Sequence, residues 1–547
     1  MTQHGGAGGG IWACLRDSAR RYPDSVALRS EQGAITYRTL AADVEDLARR
    51  LVCLDIAARD RVALAAGNTY RWVVAYFAIL RVGAVAVLLN TRWSAEEFAH
   101  ALRVTGTRAV LFEPRVRTRD IAATLAAASA GGSTVDTMMS LGESGPAGAV
   151  LLGEIADGTG DAVDAELDRR VAAVRPGDVA ELVFTSGSTG FPKAAVLRHD
   201  GVRANIAECT RRLRLGPGDR WCSGLPFFHI GGHVWGLLCC VLRGATLVQL
   251  EAFTAETALT ALERYRCTLH FAVATMMYDE LRFGVDRFDL SSLRVCAAGA
   301  DPELRRQVRA AYRVPTILSM WGLSEAHGNV SLTGPLDTLW AQDNTFGLPH
   351  PGIEVVAADP HTGRRLPPEQ EGQLLVRGGC VFNGYYGDAT ATSTSIDEEG
   401  WLHTGDTGAV LPTGHIIYTG RLGEKIRVGG ENVSVTEVEA ILAQHPQVEQ
   451  CYAVGVPDPR LEEVPIAFVR AERGASPDVS ELRAYCRAAL ADFKLPRRIV
   501  LVEDFPRGAA GRVSRSQLRT WGRELWPPAA EGGRDGGQEV DAWLPAR

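Results

Sequence analysis

The chain has 547 residues, of which 46% are hydrophobic and 22% charged, and its formal net charge is −7. That length and apolar content support several globular units with large cores. The acidic balance excludes a general nucleic-acid or anionic-membrane surface, because such partners need concentrated Lys and Arg.

Taken in chain order, residues 1–11 ("MTQHGGAGGGI") are expected to be disordered and carry no basic region followed by an apolar core. "RVALAAG" reads as a strand, "YRWVVAYFAILRVG" as an amphipathic helix, "AVAVLLN" as a strand, "SAEEFAHALRVTG" as a helix and "RAVLFEP" as a strand. Ser94 and Glu97 have the spacing of a capping box, and Gly106 stands where a helix C-cap is expected. Alternating β and α elements joined by short connections imply a mostly parallel sheet covered by helices. Residues 126–175 have weak periodicity and read as a surface excursion or a boundary between two lobes. A second series follows, with apolar runs at 181–185, 245–250, 268–274, 294–298 and 316–320. Between about 350 and 420, short runs separated by turns suggest an antiparallel β unit. After Arg421 comes a smaller α/β piece. Its first helix is expected from Thr436, capped in a Thr-x-x-Glu pattern with Glu439, and a further helix is expected near 480–490.

The organisation expected is therefore α/β, with a large N-terminal domain over 12–420, a small mobile α+β domain over 421–525 and a disordered tail over 526–547, which is too poor in apolar residues to pack. The longest apolar stretches, Trp72 to Leu89 and Val234 to Leu242, are broken by Arg81 or too short for a bilayer span. Eleven scattered cysteines without a C-x-x-C pair suit reduced thiols, so a cytoplasmic location is the expectation.

The stretch "FTSGSTGFPKAA" (184–195) places four hydroxyl residues and two glycines directly after a buried run. Backbone N–H groups of such a turn face one concavity and form an anion nest, and Lys193 adds a mobile positive charge for phosphate. It is not a Walker A loop, since no Gly-Lys-Ser/Thr follows the glycines. The motifs "LPFFHIGG", "AAGADPEL", "MWGLSEAHG", "GQLLVRGGCVFNGYY", "GWLHTGDTG", "GRLGEKIRVGGENVSVTEVE" and "FKLPRRIVLVEDFPRGAAGRVSR" then follow in that order. Together they resemble the AMP-forming adenylating enzymes, which include acyl-CoA and aryl-CoA ligases, amino-acid adenylation domains and firefly-type luciferases. The resemblance covers about residues 12–525.

The resemblance implies two half-reactions: a carboxylate attacks the α-phosphorus of ATP and expels pyrophosphate, then a thiol attacks the acyl-adenylate and expels AMP. It implies that Thr185, Ser186, Gly187, Ser188, Thr189, Gly190 and Lys193 hold the β- and γ-phosphates. Glu325 would hold Mg²⁺, and Ser324, where the family usually has Thr, would keep a hydroxyl for the α-phosphate. Trp321 replaces the common Tyr and would stack on adenine beside Gly322, with Gly299, Ala300 and Asp301 opposite. Asp406 would accept the ribose hydroxyl protons, and Arg421 would reach the same ribose. His229 becomes a gate or organiser for the acyl group. The acid pocket would take Gly231, His233 and Trp235 on one side and Ala274, Met276 and Ser319 on the other. His229 and His233 share the spacing of a helical zinc pair, but Ile230 stands where H-E-x-x-H needs Glu. Gly429 and Gly430 would let a pantetheine arm pass.

Three positions depart from the family pattern. Arg512 stands where the family has the adenylation lysine, an exchange that either retunes adenylation or reflects drift in an Arg-rich chain, since a planar guanidinium does not mimic an ammonium. Gly423 occupies the hinge position, where its backbone freedom would permit domain alternation. Gln373 replaces Glu in Gly-Glu-Leu. The leading expectation is an acyl- or aryl-CoA ligase using ATP, Mg²⁺ and CoA on a small-molecule acid. The alternatives are an adenylating enzyme serving a carrier protein or an oxyacid such as nitrite, and a degenerate adenylate-binding regulator. No nucleic-acid partner and no membrane span are expected.

Overall fold

The computed structural model describes residues 10–130, 135–146, 148–155, 158–185, 192–299, 302–360, 362–422, 425–428, 431–458, 461–490, 492–507 and 513–526. The expected disorder at 1–11 and 526–547 therefore falls almost wholly outside the described residues. The chain divides into two compact units. The first takes residues up to 356 with 375–404 and 410–417; the second takes 357–374, 405–409 and everything from Tyr418. The fold is mixed α/β with a large N-terminal and a small C-terminal domain.

Local signals determine the elements of the first unit. Helix Ala95–Thr105 starts on a complete Ser94–Glu97 capping box and stops at Gly106, whose φ of 56° is the left-handed conformation glycine adopts without strain. Helix Tyr70–Arg81 starts where the Thr69 hydroxyl accepts the Trp72 N–H. Two seven-stranded sheets organise this unit. The first has the strand order Lys193–Arg198, Val179–Thr185, Val85–Leu88, Arg61–Ala65, Ala109–Phe112, Thr137–Ser140 and Val150–Leu151. The second has the order Thr316–Leu318, Val295–Gly299, Leu269–Val273, Arg220–Ser223, Thr246–Gln249, Val26–Ser30 and Gly33–Thr36. Each sheet is parallel except for one antiparallel edge pair, and the parallel strands read as continuous apolar runs because helices cover them.

Two expectations are corrected here. Residues 126–175 form neither an excursion nor a boundary: Thr137–Ser140 and Val150–Leu151 extend the first sheet, and helix Asp161–Ala173 follows. These strands have four and two residues, too few to display a period of two. The run at 181–185 belongs to the first sheet by pairing with Val85–Leu88, whereas Val26–Ser30 belongs to the second.

Strands Ile353–Ala358, Gly372–Gly378, Leu402–Val410 and Ile416–Arg421 form a four-stranded sheet in sequence order. Within the second unit a five-stranded sheet centres on Val448–Asp458 and Glu462–Ala471. One face packs Val438, Leu442, Val469 and Leu482; the other packs Val454, Ile466, Phe468 and Leu518. The first helix of this unit runs Val435–Leu442, so Thr436 lies inside it. Its hydroxyl donates to the Thr419 carbonyl, while Glu439 takes a bidentate pair with Arg515 and the Ala453 N–H.

Candidate active site

In the first unit, the strand Val179–Thr185 carries the chain into the Gly/Ser/Thr loop and Lys193 begins the returning strand. Ser186, Gly187, Ser188, Thr189 and Gly190 lie outside the described residues. Register is nevertheless set on both sides, because Thr185 pairs with Lys193 and Phe184 with Ala194. A segment around 383–386 runs beside this returning strand. The Val196 N–H donates to the Gly384 carbonyl at 3.0 Å and the Tyr386 N–H to Ala194 at 2.8 Å. This brings Tyr385, which the sequence analysis gave no role, onto the site.

Glu325 sits in a single 3₁₀ turn, Ser324–Ala326. Its carbonyl accepts the Phe382 N–H at 2.9 Å, and its Oε1 accepts the Tyr385 hydroxyl at 2.7 Å. Burial first, and then the Glu325 charge and hydrogen bond, push the Tyr385 phenol well above its ordinary value, so it remains a donor. Lys193 Nζ lies 5.6 Å from the centre of the same ring, within cation–π range.

His327 secures the turn from its far side. It adopts a left-handed φ of 56°, its Nε2 accepts the Arg198 N–H at 3.0 Å, and its Nδ1 donates to the Cys380 carbonyl at 2.7 Å. An acceptor nitrogen means a neutral ring, and burial holds its pKa below the ordinary value. Gly201 lies under this ring, where an added Cβ would come within 2.4 Å of it.

Trp321 is buried on the strand Met320–Leu323, with Ser324 immediately after. Gly322 has a steric reason to be glycine, since a Cβ there would lie 2.2 Å from the Gly328 carbonyl oxygen of the paired strand. Gly299 ends the strand Val295–Gly299; Ala300 and Asp301 lie outside the described residues. In the second unit, Asp406 is buried on the strand Leu402–Val410 and Arg421 ends the strand Ile416–Arg421. Gly423, Gly429, Gly430 and Arg512 are outside the described residues.

The expected acid-pocket residues separate into two environments. His229 is half-buried with its ring 4.6 Å from Phe228; Gly231 opens a π-helical stretch, Gly231–Leu238, a geometry that recurs at functional sites. His233 and Trp235 are fully packed. Trp235 meets Trp221 and Phe271. His233 has both ring nitrogens engaged: Nδ1 lies 3.0 Å from the His229 carbonyl and Nε2 lies 3.1 Å from Glu181 Oε1. Both ring nitrogens therefore face oxygen partners inside the core, which fixes the orientation of the imidazole. Burial pushes the Glu181 carboxyl upward, yet His233, together with the Tyr76 hydroxyl at 2.7 Å, outweighs it and holds the group below the ordinary carboxylate value. On the opposite side Ala274 and Met276 are half-buried at the start of helix Ala274–Phe283. Ser319 is buried and donates to the Thr345 carbonyl.

Among the described residues no cluster of three or more His, Cys, Asp or Glu side chains forms a metal cage, and His233 has no nitrogen left for zinc. The single carboxylate of Glu325, beside the Ser324 hydroxyl, suits Mg²⁺, which takes one or two carboxylates and completes its shell with phosphate oxygens and water. All eleven cysteines are free, and among the described residues no helix is long and apolar enough to cross a membrane.

Comparison with known proteins identifies the family. Residues 15–386 match the family described as AMP-binding enzyme, and residues 437–512 match the AMP-binding enzyme C-terminal domain. A 3-[(3aS,4S,7aS)-7a-methyl-1,5-dioxo-octahydro-1H-inden-4-yl]propanoyl:CoA ligase of Mycobacterium tuberculosis (strain ATCC 25618 / H37Rv) is 36% identical, over 93% of this chain and 98% of its own. The amide bond synthetase McbA from Marinactinospora thermotolerans is 29% identical with a TM-score of 0.81, over 93% of this chain and 99% of its own. The anthranilate CoA ligase AuaEII, solved with anthranoyl-AMP, shares the fold at a TM-score of 0.83 and 22% identity, over 95% of this chain and 98% of its own. With both family domains matched in order and relatives aligned along nearly its whole length, the chain belongs to the AMP-binding enzymes.

Proposed function

We propose that the protein activates a small-molecule carboxylic acid with ATP, releases pyrophosphate, and passes the acyl group from the adenylate to the thiol of CoA. The observation that carries this reading is the convergence of Thr185, Lys193 and Glu325 at the end of the strand that enters the 186–190 loop: one ammonium and one carboxylate, each with capacity for a phosphate or a metal. Positive charge and preorganised donors at a leaving pyrophosphate stabilise the charge that develops as the α–β bond breaks.

The roles follow from the chemistry each position offers. Backbone N–H groups of Ser186, Gly187, Ser188, Thr189 and Gly190 cradle the β- and γ-phosphates and Lys193 neutralises them. Ser324 donates to the α-phosphate. Mg²⁺ bound through Glu325 would supply further charge neutralisation on the triphosphate. Trp321 offers a flat apolar face to adenine, with Gly299, Ala300 and Asp301 on its other side, and Asp406 with Arg421 binds the ribose. Arg512 brings a fixed positive charge to the acid carboxylate and the α-phosphate. His229 stands at the pocket mouth, with Gly231, Ala274 and Met276 on its walls and His233, Trp235 and Ser319 in the packed layer behind. Gly429 and Gly430 leave room for pantetheine, and Gly423 supplies the hinge between half-reactions.

CoA is the favoured acceptor because "PFFHIGG" and "GGENVSVTEVE" resemble CoA ligases, as does the 36% identical relative. The likeness to an amide bond synthetase keeps an amine in view, and a carrier protein is the third acceptor. The test is incubation of the enzyme with α-labelled ATP and a panel of acids, followed by CoA, an amine or a carrier protein. Acid-dependent AMP and pyrophosphate, with thioester formed on CoA, are the expected products. ADP and orthophosphate, or no acid dependence, would overturn the reading.

A further inference from the structure

Lys193 and Glu325 carry opposite charges at one site, yet among the described residues no ion pair joins them. A salt bridge between them would cancel the two charges that the triphosphate and its metal need. Tyr385 lies between the two functions: its ring face receives the Lys193 ammonium at 5.6 Å and its hydroxyl donates to Glu325 Oε1 at 2.7 Å. The side chains of Thr185, the first residue of the phosphate loop, and of Ser395 also lie near the phenol.

We propose that Tyr385 is a positioning residue that holds Lys193 and Glu325 apart as two separate charges before nucleotide binds. This rests on the reading of Lys193 as a phosphate group's partner and Glu325 as the metal's. Tyrosine suits the task because its π face attracts a cation while its edge carries a donor for a carboxylate. Phenylalanine provides only the first. A neutral phenol adds no charge of its own, and its bond leaves Glu325 Oε2 open for a metal.

The backbone around Tyr385 is built for a fixed geometry. Its N–H donates to the Thr392 hydroxyl at 2.9 Å, and that hydroxyl donates to the Asp388 carbonyl at 2.8 Å. Gly384 holds a φ of 93°, and an added Cβ there would come 2.4 Å from Thr392. Tyr385 also bridges to Ala195 on the strand that begins with Lys193. Such supporting contacts keep a binding constellation within the tolerance that productive geometry requires.

The experiment is calorimetric titration of ATP into the acid-free full-length enzyme, with and without Mg²⁺, for wild type, Tyr385→Phe, Glu325→Gln and the double variant. Tyr385→Phe keeps the ring and its packing, and its melting temperature is recorded alongside. The expected result is an ATP Kd about tenfold weaker in Mg²⁺ for Tyr385→Phe, the cost of one hydrogen bond to a charged group. The double variant is then expected within about twofold of Glu325→Gln alone, since the tyrosine acts through that carboxylate. An unchanged Kd in Tyr385→Phe, or a full additional tenfold loss in the double variant, would overturn the proposal. If Glu325→Gln alone retains the wild-type dependence on Mg²⁺, the assignment of Glu325 to the metal fails instead, whatever Tyr385→Phe does.

Discussion

Removing Glu181 tests how the strand entering the phosphate loop is tied to the turn carrying His229. Its carboxylate is fully buried, 3.1 Å from His233 Nε2 and 2.7 Å from the Tyr76 hydroxyl. Glu181→Ala leaves a buried imidazole and a buried phenol without their partner, so the cost is about 2–5 kcal/mol, the scale of two buried polar groups left unsatisfied. Glu181→Gln behaves differently. Its amide N–H can donate to Nε2 of a neutral His233 and its carbonyl can accept from Tyr76, so the network re-forms at a cost of about 1–2 kcal/mol.

The two variants also part in pH dependence. In the wild type, the folded-state pKa of Glu181 is depressed, so its contribution is complete above about 4.5 and is lost only as pH falls through the lower folded value. In Glu181→Gln no carboxylate remains to be protonated there, so this part of the acid-side loss of stability disappears. Urea unfolding followed by tryptophan fluorescence reads both effects, since Trp72 packs 6.0 Å from His233. Glu181→Ala is expected to lower the midpoint by about 1 M at pH 7. An alanine variant as stable as wild type, or a glutamine variant whose pH profile superimposes on it, would refute a stabilising carboxylate at this position.

Other perturbations separate the roles proposed for single residues. Gly232→Ala places a Cβ 2.2 Å from the Pro226 carbonyl oxygen and must displace the His229 turn; steady-state kinetics should show KM for the acid raised about tenfold while ATP affinity stays within about twofold. Arg512→Ala should lower acid-dependent pyrophosphate release by about 10²-fold or more, the scale of losing a charge-stabilising donor, while transfer from a supplied acyl-adenylate to CoA stays within about threefold; equal loss of both steps would remove Arg512 from adenylation. Asp406→Asn should raise KM for ATP about tenfold and reduce discrimination against 2′-deoxy-ATP. Unchanged discrimination would detach Asp406 from the ribose.

Elements whose signals are local were legible in the sequence. The Ser94–Glu97 box and Gly106 delimit a helix through contacts spanning a few residues, and the structure keeps all three. Sheet membership was not, because an apolar run such as 181–185 is equally apolar in either sheet and only pairing with Val85–Leu88 decides. Thr436 and Glu439 have a capping pattern, yet Arg515 claims the glutamate from 76 residues away, a competition no local window contains. The nucleotide motifs were legible only as an ordered set that resembles the adenylating enzymes, since any one glycine, hydroxyl or charge among them also suits a plain turn. Tyr385 was not, because an aromatic in "NGYY" reads as packing until Glu325 is found at its hydroxyl. His233 likewise reads as a pocket wall until Glu181 is found beside it.

The interleaving of the two large sheets has a consequence during synthesis. Leu28 pairs with Leu247, about 220 residues later, and at ribosomal rates of about 5–20 residues per second the Val26–Ser30 edge waits on the order of ten to forty seconds for its neighbour. Over that interval the emerging amino-terminal hairpin exposes unpaired main chain in the company of a half-built first sheet. The nascent chain should therefore depend on chaperones until residue 250 or so has left the exit tunnel, and truncations that stop short of it should aggregate.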